Sequence, residues 1–151
     1  MKWRTRVLVA GVVIAAAVAA GCASRFKEPE LQAPHAVVVF PSQAAQSGAF
    51  LFLEPLDFNG VPRPRNWKAE RFRVPPGELR LRVRAAQENQ QGTCELSFTT
   101  AAGVRYAVAG SSTGEAFSLT ASREGEPVAS CEAPKTLLPT PPGMPPGVPP
   151  R

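Results

Sequence analysis

Leu79-Arg80-Leu81-Arg82-Val83-Arg84-Ala85, followed shortly by Cys94-Glu95-Leu96-Ser97-Phe98-Thr99, decides the fold. In the first stretch Leu79, Leu81 and Val83 alternate with Arg80, Arg82 and Arg84. In the second, Cys94, Leu96 and Phe98 alternate with Glu95, Ser97 and Thr99. Successive side chains of an extended chain point to opposite faces, so a period of two gives each stretch one apolar and one polar side. That is the pattern of half-buried antiparallel strands.

Short runs of the same kind flank this pair. Ala36–Phe40 is closed by Pro41 and Ala49–Glu54 by Pro55, and Arg71–Val74 runs into Pro75-Pro76-Gly77. Val104–Ala109, Ala116–Ser122 and Val128–Cys131 follow, with Arg123-Glu124-Gly125-Glu126-Pro127 as a turn before the last. No stretch of this region keeps a 3.6-residue period through capped turns. The spacing predicts an all-β domain over residues 35–133, a small antiparallel β-sandwich of immunoglobulin-like or transthyretin-like type with seven or eight strands.

The whole chain has 151 residues, 17 of them Lys or Arg and 12 Asp or Glu, for a formal net charge of +5. That length holds one domain with flexible ends rather than two. An apolar share of 44% is too high for a wholly disordered chain, and the apolar residues are too scattered for a polytopic membrane protein.

The ends read differently from the middle. Lys2, Arg4 and Arg6 precede an uncharged run from Val7 to Ala20, too short and alanine-rich for a lasting span, which needs about 20 apolar residues. The run ends in Ala19-Ala20-Gly21-Cys22. This tetrapeptide resembles the lipobox of bacterial lipoproteins. The resemblance implies that residues 1–21 are a signal peptide and that Cys22 becomes the lipid-modified first residue of the mature protein. An ordinary secretory signal, with Cys22 incidental, is the alternative. Ala23 and Ser24 follow the cysteine. Neither is the Asp that retains many members of the family in the inner membrane, which implies the outer membrane, with the domain facing the periplasm. Loss of Lys2, Arg4 and Arg6 lowers the formal charge by three, from +5 to +2. Global charge therefore gives no argument for a nucleic-acid partner.

Residues 22–34 are polar, carry Pro29 and Pro34, and read as a lipidated tether. Residues 134–151, with Pro-Pro-Gly recurring, read as a proline-rich disordered tail, either solvated or the contact of an assembly. Between them, Phe58-Asn59-Gly60-Val61 and Val74-Pro75-Pro76-Gly77-Glu78 resemble the turns of PEGA-like β-modules of envelope proteins. That resemblance implies a binding or assembly part and carries no catalytic residue.

Cys94 and Cys131 are the only cysteines besides Cys22. In an oxidising compartment they are expected to form a disulfide; two free thiols or a metal pair are the alternatives, and zinc would find only His35 to join them. Gly110-Ser111-Ser112-Thr113-Gly114 matches the G-x-S-x-G pattern of serine hydrolases. That pattern needs a helix after it and a histidine later in the chain, whereas a strand-like run follows and His35 lies upstream, so the segment reads as a turn. Asp57 has no histidine to orient, and Glu124 and Glu126 flank a glycine turn in solvent. No catalytic residue, cofactor or metal site is expected.

The remaining feature is basic. Arg63, Arg65, Lys68, Arg71, Arg73, Arg80, Arg82 and Arg84 lie within one stretch, opposed there by Glu70 and Glu78. If Pro75-Pro76-Gly77 closes a hairpin, Arg71 and Arg73 share a face with Arg80, Arg82 and Arg84. Such a face would meet an anionic envelope component or an acidic protein surface. The alternative is a solvated face that guards a sheet against edge pairing. Trp67, near the ribbon, either caps the sandwich or stacks on a sugar. The expected function is that of a lipid-anchored, non-enzymatic binding or accessory module. A structural subunit of an envelope or secretion assembly is the second reading, and a cell-wall-acting enzyme the third.

Overall fold

The computed structural model describes residues 24–40, 50–65 and 70–139. Among them no helix forms, and ten strands build two five-stranded sheets. The strands are β1 (Ala36–Val39), β2 (Phe52–Phe58), β3 (Val61–Pro62), β4 (Arg71–Val74), β5 (Gly77–Gln87), β6 (Gln90–Thr100), β7 (Arg105–Ser112), β8 (Ala116–Arg123), β9 (Glu126–Pro134) and β10 (Thr136–Leu137). The first sheet has the order β4-β1-β7-β8-β9 and the second β10-β6-β5-β2-β3. All pairings are antiparallel except β1 with β7, which run parallel.

The alternation of β5 and β6 places one apolar row from each strand in the interior. Leu79, Leu81, Val83, Leu96 and Phe98 are buried there with Phe58. Val38, Phe72, Val74, Tyr106, Val108, Phe117 and Leu119 meet them from the first sheet. Each such side chain contributes roughly 1.5–3 kcal/mol when fully withdrawn from water. The sheets approach closely in places. A Cβ at Gly110 on β7 would fall 3.0 Å from Leu51 Cδ2, just before β2, and 3.3 Å from Leu53 Cδ2 on β2 of the opposite sheet.

Two-residue turns join the β2–β3 and β8–β9 hairpins. Asn59 and Gly60 take φ of 51° and 79° between β2 and β3, and Glu124 and Gly125 take 51° and 85° between β8 and β9. Positive φ at both positions matches the right-handed twist of the strands. Asn59 does more than turn. Its side chain accepts from Arg80 N at 2.7 Å and donates to Glu78 O at 3.2 Å, fastening the turn to the start of β5.

Four boundaries depart from the expected ones. Pro55 lies inside β2 rather than closing it, with a bulge between Pro55 and Asp57, where proline has no N–H to give the ladder. Val61–Pro62 adds a strand that the proline-rich sequence concealed. The domain does not end at residue 133: Thr136 and Leu137 form β10 against Gln91 and Gln90 of β6. Residues 24–34 do not stand off as a free tether, because Phe26 packs against the core. Residues 1–23 and 140–151, which hold the stretch expected to be a signal peptide, Cys22 and most of the proline-rich tail, lie outside the described residues.

Candidate functional site

The five arginines are not on one face. Pro75-Pro76-Gly77 is a corner, not a hairpin: β4 pairs with β1 in the first sheet, while β5 pairs with β2 and β6 in the second. Thr100 Oγ1 donates to Pro75 O at 3.0 Å and Gly77 O at 3.1 Å and holds the corner, and Gly77 passes through it at φ 124°. Phe72 and Val74 point inward, so Arg71 and Arg73 face out of the first sheet. Leu79, Leu81 and Val83 point inward, so Arg80, Arg82 and Arg84 face out of the second. The physical reason is visible in the charges. A β4–β5 hairpin would set arginine beside arginine, which destabilises a sheet; the corner sends the two sets to different sheets.

Three of the five are held within the molecule. Glu54 on β2 is buried and takes one arginine on each oxygen, Arg63 on Oε1 and Arg84 on Oε2. Asp57, also buried, pairs with Arg82 at 2.6 Å. On the other side of Arg82 the register places Glu95. Arg73 donates from Nη2 to Glu28 Oε2 at 3.2 Å, and its backbone N donates to Glu28 Oε1 at 2.8 Å. Among the described residues no acid pairs with Arg71 or Arg80 within salt-bridge distance. On the outer face of the second sheet Arg82 and Arg84 are thus neutralised by acids of β2, and Arg80 alone of that row is left without an acidic partner among the described residues.

Cys94 on β6 and Cys131 on β9 form the disulfide, with Cα atoms 6.0 Å apart. It ties the second sheet to the first, because β9 is the edge of the first sheet. Gly92 on β6 lies beneath the same contact, and a Cβ there would fall 2.7 Å from Pro134 O.

The opposite side of the sandwich, between the edges β3 and β4, is closed by residues that sequence reasoning assigned to the tether. Phe26 N donates to Pro62 O at 2.7 Å on β3. The Phe26 ring stacks on Phe58 with centroids 4.2 Å apart, and Phe58 meets Phe72 of β4 edge-on at 5.4 Å. Glu28 then reaches Arg73 on β4. Segment 25–28 thus runs from one sheet edge to the other, with an aromatic ring as the plug. The one signal for it in the sequence is an aromatic residue two positions before an acid in an otherwise polar stretch.

The remaining candidates fall as turns and surface. Gly110–Gly114 spans the end of β7 and the turn to β8, closed by Thr113 N donating to Ala116 O at 2.9 Å. Lys135 Nζ donates to Thr113 O at 2.6 Å and lies over the Phe117 ring. His35 is half-buried at the start of β1, its Nδ1 2.7 Å from Ala33 O. Glu124 and Glu126 are exposed at the β8–β9 turn. Trp67 and Lys68 lie outside the described residues. Among the described residues no group of three His, Cys, Asp or Glu is placed to hold a metal, and no helix is long and apolar enough to cross a membrane. No protein-family model matches the chain, and neither a curated protein nor a solved structure matches it.

Proposed function

We propose that the protein is a lipid-anchored β-sandwich of the bacterial envelope, acting as a non-enzymatic binding or accessory module on the periplasmic side of the outer membrane. One observation carries this reading: Ala19-Ala20-Gly21-Cys22, after a charged start and a short apolar run, stands directly ahead of a domain whose two sheets are joined by a disulfide. The small-small-Cys order supplies the acylation site. The disulfide belongs to oxidising compartments, where it persists, and not to a reducing cytoplasm. Acylation at Cys22 with two or more chains gives stable anchoring where one chain does not.

The internal pairing of Arg73, Arg82 and Arg84 turns this reading away from a five-arginine ligand face. An anionic partner has instead to be met by cations that no internal acid occupies.

Intact mass of the protein from envelopes, with and without alkaline removal of ester-linked chains, tests the proposal. The expected species begins at Cys22 and carries fatty acyl groups, and Cys22→Ser leaves the full precursor in place. A mature chain that starts elsewhere and carries no lipid overturns it.

A further inference from the structure

The plug at Phe26 fixes where an anchor on Cys22 would attach to the body. Only Ala23, Ser24 and Arg25 separate Cys22 from Phe26. Even fully extended, that stretch spans no more than about 14 Å. Phe26 is itself held by the Pro62 hydrogen bond and the Phe58 stack. The sandwich therefore has no long tether to turn on: the side between β3 and β4 is held near the acyl chains.

That side is also the cationic one. Arg25, Lys27, Arg65 and Arg71 are exposed around the plug, against Glu30 and Glu70. Glu28 and Glu54 are taken up by Arg73, Arg63 and Arg84. The far side carries the opposite sign. Glu115, Glu124, Glu126 and Glu132 are exposed on and around β8 and β9, against Arg123 and Lys135. β4 and β9 are the two edges of one five-stranded sheet, so the two charge groups stand about 19 Å apart at the usual strand spacing. An anionic surface attracts the first group and repels the second, and the Debye length of about 8 Å at physiological ionic strength confines both effects to the side that touches it.

We propose that the side of the sandwich between β3 and β4 is a bilayer-facing surface that takes anionic phospholipid headgroups on Lys27, Arg65 and Arg71. The proposal rests on acylation at Cys22 and deepens that reading: the anchor and the cationic side act together, so the body lies against the membrane in one orientation with β8 and β9 turned away. The accessible working surface is then the β8–β9 side.

Hydrogen exchange of the full lipidated protein in vesicles tests this. One set is phosphatidylcholine alone and the other contains phosphatidylglycerol. Amides of residues 24–28 and 59–65 are expected to exchange more slowly in the anionic vesicles, and those of the turn at Glu124–Pro127 to be unchanged. Half-molar salt removes the difference. The triple variant Lys27→Gln, Arg65→Gln, Arg71→Gln alters exposed side chains only, and lowers the docked-to-lifted ratio about fivefold per cation removed. Equal exchange in both vesicle types, protection at the β8–β9 turn, or a triple variant that behaves as wild type overturns the proposal. The intact mass of the same preparation separates this failure from loss of the anchor: an acylated protein that shows none of the expected protection sinks the orientation alone.

Discussion

Glu54 is a buried carboxylate whose two oxygens each hold an arginine from a different part of the chain, Arg63 after β3 and Arg84 on β5. A charge pair with one partner removed leaves the other uncompensated, and partial burial raises that penalty. Glu54→Ala is expected to lower stability by about 2 kcal/mol, read as the midpoint of urea unfolding. Arg80→Ser is expected to stay within about 0.5 kcal/mol, because the Arg80 side chain is exposed and has no acidic partner among the described residues. Equal losses from both variants would show that the Glu54 ion pairs contribute nothing specific. The alternation that put Arg80, Arg82 and Arg84 on one outward row was legible in the sequence. Their partners were not, because Glu54 and Asp57 come from a strand interrupted by Pro55, and only the register of β2 on β5 brings them opposite.

At the level of elements, periodicity located the strands and left their partners open. β5 and β6 were readable because each buries one clean row against the other, Leu81 opposite Leu96 and Val83 opposite Cys94. Pro75-Pro76-Gly77 reads as a turn under any topology. Whether it closes a hairpin or passes between sheets depends on what lies opposite, and here Thr100 captures it as a corner. β10 was hidden by the prolines on either side of it, Pro134 and Pro139. The disulfide is expected from the sequence because Cys94 and Cys131, the only cysteines besides Cys22, both fall in strand-like runs of a chain expected in an oxidising compartment. Cys94 and Cys131 are 37 residues apart, so loss of the bond frees a long loop in the unfolded chain. By chain entropy, Cys94→Ser with Cys131→Ser is expected to cost about 4 kcal/mol in chemical denaturation. Gly92→Ala tests the same seam without touching sulfur. Its Cβ would meet a backbone oxygen at 2.7 Å, which cannot rotate away, so β6 and β9 must part. A loss of about 1–3 kcal/mol is expected from calorimetry, and an unchanged transition would mean that the seam is slack.

Taken whole, the sandwich has two open sides and closes them by different means. One is covalent, between β6 and β9. The other is the Phe26 ring and the Glu28–Arg73 pair between β3 and β4. Phe26→Ala removes a half-buried ring and is expected to lower stability by about 2 kcal/mol, less than for a fully buried phenylalanine. The same variant should make residues 24–28 sensitive to limited proteolysis while the rest of the domain stays intact. Resistance of that segment would show that the stack does not hold it. This side was not legible beforehand because Phe26 sits among Lys27, Glu28, Pro29 and Glu30, a composition that describes a linker. Only a hydrophobic vacancy between two sheet edges gives it a place.

The asymmetry has a mechanical outcome. Tension drawn through the amino-terminal end enters the molecule at Phe26, where a stacked ring, the hydrogen bond to Pro62 O and the Glu28–Arg73 contacts resist it and can peel away one after the other. The sulfur bridge, at the remote edge, bears no load until that first seam has come undone. Under a pull the protein is thus expected to lengthen its leash first, by releasing residues 24–34, and to keep its folded body whole.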